Sequence, residues 1–487
     1  MTVKNNANNK MKFIGFNLRL ALVLVILACI LNVFTVNDAL AADRAAIVIN
    51  ELKSYDAGIA KKNPAAIIEK YNKISESPFS FYRGTAVLFY RDMADNSLSV
   101  NGSEKSFLTP GLSETYINGD MHIANFGFVR NSNNDAQFDA NDFDESFIAP
   151  YIWDLKRAAA SLCLHCRTNG IKADEEKAVE KFTDSFIDAL KDDGIKKYAI
   201  TAKNAGGFLK DNIKKLDNKK REDLLEKLTV MSEPNKFLKN DELAVISATD
   251  YDKIKEVFEK EYAAKVVKRF SDSGEKIDSG YFKVLDICEK LHSGTGSLGL
   301  SRYYILIAGK SIKDCSHNVV IEMKQQRNSV VSNSVRDWQK IMDSFKGNGR
   351  RVLLGTYAMA SNVSPFVDFC ELDGVQYTLR EVSPQKSSVK LETLDLRETL
   401  ELAEAAGKIY AKMFVKSSRP GDVSNAKKLL SVLNDESNID EFKRYLMEFG
   451  VKYADMVEND YKIFTAKKES LINDINKIAQ KSGIFKK

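Results

Sequence analysis

The chain has 487 residues, of which 44% are hydrophobic and 29% are charged, and its formal net charge is +5 at pH 7. This composition allows an adequate hydrophobic core and predicts a globular protein of two or three structural units. The positive charge is mild and spread over many helical stretches, so we expect no nucleic-acid partner.

The first 41 residues have the order of a secretory signal peptide. Basic residues up to Arg19 precede the apolar run "LALVLVILACIL", and an Ala39-x-Ala41 site follows. We therefore expect an exported protein, periplasmic or secreted, after cleavage near Ala41. The alternative is an uncleaved anchor in the inner membrane formed by residues 20–36, which is the one membrane contact that the sequence indicates.

The cysteines beyond this segment do not describe a disulfide framework, because their number is odd. The pair in "CLHC", Cys163 and Cys166, continues a helical pattern, and no second CxxC accompanies it. Small buried thiols are therefore favoured over a metal site.

The next segments predict helices around one hairpin. Residues 43–75 have the pattern of one or two amphipathic helices. "FGFVRNSNNDAQFDAND" has the pattern of two short strands around a polar turn. From Trp153 to about Leu291 the apolar residues recur with the helical period of 3.6 residues.

The character changes at Ser293, where a glycine-rich stretch and several strand patterns begin. One pair of strands is joined by an Asp373-Gly374 hairpin turn. Helical patterns return at about Leu391 and continue to the end of the chain. The layout predicts an α+β fold with segregated strands: a helical part over 43–291, a β-rich part over 292–390 and C-terminal helices over 391–487.

An unusual group of acids flanks the hairpin and precedes the helix that begins near Trp153. "GDMHIANFG" places Asp120 and Asn125 five residues apart, and "FDANDFDE" supplies Asp142 after the hairpin. Oxygen ligands of this kind suit Mg²⁺ that shares its coordination with phosphates. In phosphoryl transfer, one Asp accepts the proton of the acceptor hydroxyl, while an Asn and a second Asp hold the metal.

Capping of turns and helices is the alternative explanation for such acids. It explains the combination of Asp120, Asn125 and Asp142 poorly. For Asp154 it is the preferred explanation, because this residue precedes a helical pattern and can lie in its first turn.

"GTGSLG" contributes Gly294, Gly296 and Gly299 in a GxGxxG pattern, and a strand pattern follows it. A second strand, "VVIEMK", ends in Lys324. A glycine turn between strands, with a lysine on the next strand, is typical of the nucleotide-binding half of kinases. A Rossmann unit is not indicated, because no βαβ pattern surrounds the glycines.

Several motifs together resemble one family. They cover most of residues 75–465 and resemble the DUF2252 family of bacterial proteins: "YRGTA", "GDMHIANFG", "FDANDFDES", "PYIWDLKRAAASL", "GTGSLG", "LREVSPQK" and "FGVKYADMVENDYKIF". The central block is in turn similar to the aminoglycoside-phosphotransferase and protein-kinase-like superfamily. That resemblance implies ATP and Mg²⁺ as cofactors, Asp120 as the catalytic base, Asn125 and Asp142 as metal ligands, and the glycine turn with Lys324 as the nucleotide site.

The resemblance has two departures. Asn118 stands where a His usually precedes the catalytic Asp by two residues. The glycine turn and Lys324 also follow the catalytic loop, whereas ordinary kinases have them first. A protein-kinase-like two-lobed fold that is circularly permuted, with the nucleotide lobe inserted into the helical lobe, would explain this order.

The metal ligand among three neighbouring aspartates stays open. The spacing from Asp142 to Asp154, in "WDL", suits the superfamily spacing from metal loop to "YDL" helix. Asp139 is the rival if the hairpin is short, and Asp144 is on the same strand face as Asp142 if the strand continues.

The sequence thus predicts an ATP-dependent phosphotransferase with an unknown small-molecule or protein acceptor. The alternatives are a non-catalytic, pseudokinase-like nucleotide-binding module and a kinase-fold enzyme that transfers nucleotidyl groups. A phosphoesterase is disfavoured, because His122 is the single histidine near the acids. Export stands against ATP chemistry, because a periplasm offers little ATP.

Overall fold

The structure is a computed structural model that describes most of the chain between residues 43 and 481. Within that range it leaves out 96–106, 110, 132–134, 231–232, 275–276, 278, 293, 295–297, 312–313 and 362. The signal-peptide and anchor predictions for residues 1–41, and Gly296, therefore lie outside the described residues. Among the helices that are described, none combines the length and the hydropathy needed to cross a membrane.

The described helices run as follows: α1 43–62, α2 Pro64–Ile74, α3 Pro78–Gly84, α4 Ala86–Ala94, α5 Ile152–Thr168, α6 Glu175–Leu190, α7 Gly207–Asp217, α8 Arg221–Leu228, α9 Ala248–Val257, α10 Ala264–Asp272, α11 Trp338–Phe345, α12 Asn348–Met359, α13 Leu396–Lys416, α14 Asn425–Leu430 and α15 Glu436–Lys481. A π-helical segment, Phe258–Ala263, joins α9 to α10.

The described strands are shorter: β1 Thr115–Ile117, β2 Phe126–Arg130, β3 Ala136–Ala140, β4 Phe147–Ala149, β5 Thr229–Val230, β6 Glu233–Phe237, β7 Leu243–Ala244, β8 Val284–Lys290, β9 Arg302–Ile307, β10 Val319–Gln325, β11 Asp368–Leu372, β12 Val375–Glu381 and β13 Ser387–Ser388. The architecture is mixed α+β with several separate sheets.

Helix α5 is the centre of the helical part. Every residue from Ile152 to Cys166 is buried, so α5 is enclosed on all sides and does not have the exposed polar face of a surface helix. Helix α15 packs along α5, and α13 packs along α6. A capping box between Asp395 and Glu398 begins α13, so its first amide groups have acceptors. The helical core therefore forms a rigid base beneath the loops on either side of α5.

The largest sheet is antiparallel and has the strand order β11-β12-β10-β9-β8-β7. One face packs on α9, α10 and the π-helical segment between them through a cluster that includes Ile321 and Met323. The other face contacts α8 and β6 through Leu306 and Val320. Strand β10 is buried along its whole length, so its polar side chains need partners within the protein.

Several predictions about local structure are confirmed. Residues 43–75 form two helices, and the hairpin of β2 and β3 pairs Phe126 with Ala140. Asp373 and Gly374 form the turn between β11 and β12 with φ values of 50° and 76°. Left-handed values at both central positions are typical of a type I′ turn.

The prediction of helix from Trp153 to about Leu291 was wrong at two places. Strands β5, β6 and β7 lie within residues 229–244, and the end of the range is also a strand. Val284–Lys290 is strand β8, which pairs with both β7 and β9, so the sheet begins before residue 292. The short apolar group in "VLDICEK" fits one face of a helix as well as a strand. Pairing with β9, the next strand in the chain, makes this segment a strand.

The prediction of small buried thiols is confirmed for the pair of cysteines in α5. Cys163 and Cys166 are free and fully buried in α5. In the part of the chain that the structure describes, no group of three or more His, Cys, Asp or Glu side chains is arranged to hold a metal ion.

Candidate active site

The loop between β1 and β2 is anchored by the first turn of α5. The Asp154 carboxylate accepts hydrogen bonds from the backbone amides of Asn118, at 2.6 Å, and of Gly119, at 3.1 Å. Gly119 has a φ of 77°, and a Cβ there would lie 2.0 Å from the carbonyl oxygen of Glu145. Glycine is therefore required at this position.

Asp120 projects from this loop toward α5. Its Oδ1 accepts a hydrogen bond from Arg157 Nε at 2.7 Å and forms an ion pair with Nη2 at 2.6 Å. The Arg157 guanidinium is fully buried and lies 4.3 Å from the ring centre of Tyr82. Burial alone would raise the pKa of Asp120, but the positive charge of Arg157 lowers it below its usual range. Asp120 is therefore an ionised carboxylate at every physiological pH.

Asn125 and Asp142 are tied to the same loop through backbone contacts. Asn125 Nδ2 donates to the carbonyl oxygen of Asp120 at 2.6 Å, and Asn118 Nδ2 donates to that of Asp142 at 2.6 Å. Strand β3 ends at Ala140, so Asp142 lies in a loop and not on a strand. Its Oδ1 accepts the amide hydrogen of Asp144 at 3.1 Å. One set of hydrogen bonds therefore fixes the positions of both candidate metal ligands, Asn125 and Asp142.

Lys324 lies at the end of β10 and forms an ion pair with Asp144. Gln326 Nε2 donates to the other oxygen of this carboxylate at 3.1 Å. Burial opposes ionisation of Asp144, but the charge of Lys324 lowers the pKa of the carboxyl below its usual value. Sequence reasoning left Asp144 as an open alternative and did not identify it as the partner of the lysine.

Arg351 on α12 joins the loop between β3 and β4, residues 141–146, to the end of β10. This loop carries Asp142 and Asp144 and is named the metal loop. Arg351 donates to the carbonyl oxygens of Ser146, at 2.5 Å, Asp144, at 2.8 Å, and Arg327, at 2.9 Å. Arg351 has no exposed surface, and burial lowers its pKa to about 10. This one side chain connects the helical part with the sheet, and no sequence signal identified it.

The candidate site residues line one pocket of about 740 Å³, which we name the acidic pocket, although Asp120 and Lys324 are about two hundred residues apart in sequence. The lining consists of Arg83, Asp120, His122, Asn125, Asp142, Asp144, Glu145, Gly294, Leu300, Lys324, Gln326 and Arg327. Five of the six described residues that the sequence assigned to the site therefore meet here.

Gly299 is the one that does not line this pocket. Its φ is 81°, and a Cβ there would lie 2.3 Å from Cγ2 of Ile59 on α1. Gly299 therefore allows close packing of the glycine turn against the N-terminal helices, whereas Gly294 faces open space.

Asp139, the rival metal ligand, is buried elsewhere. Both of its oxygens lie 2.7 Å from Nζ of Lys412 on α13, and neither side chain is more than 3% exposed. A buried carboxylate held by a lysine on both oxygens has a structural role. It does not line the acidic pocket.

Arg157 and the loop-anchoring contact of Asp154 were missed by sequence reasoning. Asp154 does lie in the first turn of α5, as expected, but its carboxylate is fully buried and bonds the loop before β2. Burial raises the pKa of Asp154 to about 7. Arg157 follows three residues later, a spacing that places both on one side of the helix and could have linked them to one loop.

The family comparison covers most of the chain. A family model described as "Uncharacterized protein conserved in bacteria (DUF2252)" matches residues 62–467. No curated protein and no solved structure matches the chain.

Proposed function

The chain belongs to the DUF2252 family of bacterial proteins, and we propose that this member is an ATP- and Mg²⁺-dependent phosphotransferase. Its acceptor is a small molecule or a protein. The observation that carries the proposal is the convergence of Asp120, Asn125, Asp142 and Lys324 on one pocket. Their chemistry is complementary: oxygen ligands for a hard cation on one wall and a cation for phosphate on the other.

The donor set fits Mg²⁺. Asn125 and Asp142 offer one amide oxygen and one carboxylate, and Asp144 adds a second carboxylate beside them. Mg²⁺ is usually held by one or two carboxylates together with waters and substrate phosphates, so a full protein cage is not needed. When bound, the ion neutralises charge that develops on the transferred phosphoryl group.

Asp120 receives the acceptor in this proposal. Its carboxylate is ionised and held by Arg157, so it can orient an acceptor hydroxyl and take its proton as the transfer proceeds. A low pKa makes Asp120 a weak base, so orientation is its larger contribution. His122, whose Nε2 lies 3.5 Å from Asp120 Oδ2, completes this wall of the pocket.

Lys324 is held in place for the phosphates by its pair with Asp144. A nucleotide that binds Lys324 must replace this contact, which frees the Asp144 carboxylate for the metal ion. Protein kinases use a glutamate on a helix as the partner of the equivalent lysine. Here α12 carries no carboxylate, and the partner comes from the metal loop. Lys324 and the metal loop therefore respond together to a nucleotide.

A circularly permuted, protein-kinase-like fold is part of the proposal. The glycine turn joins β8 to β9, and Lys324 lies on β10, the next strand of the antiparallel sheet. Helices α11 and α12 follow before β11 and β12. A glycine-rich turn followed by a lysine on the third strand is the kinase arrangement. In this chain that unit follows the loop of Asp120.

A non-catalytic nucleotide-binding module is the second candidate, and one observation favours it. Asp120 and Lys324 are both paired with opposite charges inside the protein. Such pairs can stabilise a pocket that binds and does not react. Nucleotidyl transfer would use the same metal ligands without a need for Asp120 as base.

Export remains a proposal as well. Arg44, just after the expected cleavage site at Ala41, forms ion pairs with Asp92, at 2.7 Å, and Asp460, at 2.5 Å. These contacts support a folded unit that begins where a mature chain would begin. N-terminal sequencing of the protein from its native cell tests this, and an intact Met1 in cytosol would contradict it.

Titration with Mg²⁺ and ATP, together with ADP formation, tests the function. The purified protein should gain thermal stability with Mg²⁺ and ATP together and should form ADP. Asp120→Asn should retain that binding and lose about a thousandfold in ADP formation. Asp193→Asn, an exposed change, is the matched control. Binding of Mg²⁺ and ATP without ADP formation by the wild type would favour the non-catalytic module. Equal ADP formation by wild type and Asp120→Asn would overturn the role of Asp120, and no binding by either would reject both candidates.

A further inference from the structure

A second pocket lies directly behind the pair of Lys324 and Asp144. It has a volume of about 1140 Å³ including its open mouth, and Asp120 and Asn125 are not among its lining residues. Its walls come from α12, β12, strands β2 and β3 and the metal loop, together with Lys324 on β10 and residues 360, 361, 363, 364, 367, 383 and 386. The surface is mostly apolar, with contributions from Val129, Phe143, Val352, Leu353, Val363 and Leu379.

Two polar atoms in this pocket have no partner among the described residues. Gln137 is 1% exposed, and its Nε2 donates to Asp139, but its Oε1 accepts no hydrogen bond. The hydroxyl of Ser361 is also buried without a partner. An unsatisfied buried polar atom costs free energy, so such atoms indicate a group that completes them. An acceptor such as Gln137 Oε1 requires a donor on that group.

The charges around the pocket favour an anion. The lining includes four cations, Arg130, Lys324, Arg380 and Lys386, and three carboxylates, Asp139, Asp144 and Glu381. Each of these carboxylates is already paired with a cation. Lys386 is exposed, and its ammonium group has no ion-pair or hydrogen-bond partner among the described residues. The positive charge of Arg380, together with partial loss of hydration, lowers the pKa of Lys386 to about 8.

We propose that this pocket binds a small amphipathic anion: a mainly apolar body that carries a hydrogen-bond donor for Gln137 and an anionic group for Lys386. The apolar walls supply most of the affinity, and the two polar contacts orient the molecule. The site is distinct from the acidic pocket and goes beyond the proposed transfer reaction, on which it does not depend.

Its position gives this ligand an effect on the metal loop. Phe143 lines the apolar pocket, while its chain neighbours Asp142 and Asp144 line the acidic one. A molecule in the apolar pocket therefore contacts the side chain between the two acids and the outer side of the Lys324–Asp144 pair. The ligand acts as an effector that biases whether Lys324 stays with Asp144.

The dye 1-anilinonaphthalene-8-sulfonate is a suitable probe for the pocket. It has an apolar body, an N–H donor and a sulfonate, and its emission increases in apolar surroundings. N-phenyl-1-naphthylamine has the same body and N–H group without the sulfonate, so it is the matched ligand. We expect the sulfonate dye to bind the intact protein saturably, at one molecule per chain.

Two variants locate the bound dye. Thr356→Trp on α12 fills the pocket and should abolish saturable binding of both dyes, whereas Tyr357→Trp, on the exposed side of the same helix, should not. Lys386→Met should weaken the sulfonate dye about tenfold, the size expected for one charge-assisted hydrogen bond, and leave N-phenyl-1-naphthylamine within about twofold. Circular dichroism checks that each variant is folded.

Unchanged binding of the sulfonate dye to Lys386→Met would overturn the assignment of the anionic end. Unchanged saturable binding to a folded Thr356→Trp would overturn the site itself, because the dye would then bind elsewhere. If Thr356→Trp does not fold, Lys386→Met with the two dyes decides the proposal alone. None of these measurements needs ATP, so failure of the phosphotransferase proposal would leave the result intact.

Discussion

The interior of the helical part and the cleft beneath the sheet each contain an aspartate–lysine pair, and the two pairs differ in their surroundings. Asp139 and Lys412 are both at most 3% exposed, and the lysine reaches both carboxylate oxygens. Asp144 is 24% exposed and Lys324 is 7% exposed, and they line two pockets. The acids are five residues apart and identical in type.

Their difference follows from what surrounds each pair. A fully buried pair is shielded from water, so losing either charge leaves the other one uncompensated. A pair at a cleft wall can exchange partners with an incoming ion or phosphate. These surroundings favour a structural role for Asp139, whereas Asp144 and Lys324 are placed where the proposed site could use them.

Removing one lysine at a time tests this difference most directly. Lys412→Met leaves a buried carboxylate without its counter-charge, which should lower the free energy of unfolding by about 3–5 kcal/mol. Lys324→Met leaves a partly hydrated carboxylate and should cost about 1 kcal/mol or less. Urea denaturation of both variants measures the two losses, and equal losses would break the comparison.

The anchoring carboxylate Asp154 extends the comparison to pH. Its pKa is raised to about 7 in the folded protein, so the folded state keeps a proton that the unfolded chain releases. The contribution of this proton to the free energy of unfolding is fully present below the unfolded pKa near 4 and is lost as the pH rises toward 7. Between pH 5 and 7 the loss is about 2 kcal/mol.

Asp154→Asn should remove this pH dependence of the free energy of unfolding, because the side chain no longer titrates. Urea denaturation at several pH values compares Asp154→Asn with the exposed Asp193→Asn. The same pH dependence in both variants would mean that Asp154 is ionised in the fold throughout this range.

Asp142 and Asp139 should differ in ligand binding. Asp142→Asn removes a charge from the acidic pocket and should weaken binding of Mg²⁺ with ATP by about tenfold or more. Asp139→Asn should affect stability and leave the affinity of the folded protein unchanged. Titration calorimetry on both variants decides the assignment, which is wrong if Asp139→Asn abolishes binding while Asp142→Asn retains it.

Substitutions of Gly294 and Gly299, the two described glycines of the glycine-rich turn, should have the smallest effect on stability. Gly299→Ala combines a φ of 81° with a contact of 2.3 Å to Ile59, so it should destabilise the protein by about 1–2 kcal/mol. Gly294→Ala meets no atom within 4 Å and should leave stability unchanged. Thermal unfolding of the two variants measures this, and equal melting temperatures would contradict the packing role of Gly299.

Local patterns were enough to predict much of the fold and part of the site. The helical period, the polar turn of the β2–β3 hairpin and the Asp373-Gly374 turn depend on neighbours in sequence, and the structure contains each of them. Asp120, Asn125 and Asp142 stood out because acids alternate with large apolar residues, which is costly unless they are used together. Strand β8 was missed, because seven residues with a mixed apolar pattern do not distinguish a strand from a helix.

Only the tertiary structure decided how these pieces meet. The amino-acid sequence by itself determined which residues carry charge, which turns require glycine and where most helices run. The partners of the charges were not determined locally: Lys324 pairs with an aspartate 180 residues away, and Lys412 with one 273 residues away. Ion pairs depend on which surfaces pack together, and that choice is made by burial of apolar area over the whole chain. The apolar pocket behind Lys324 has the same origin, since its lining residues lie far apart in the sequence, between Val129 and Lys386.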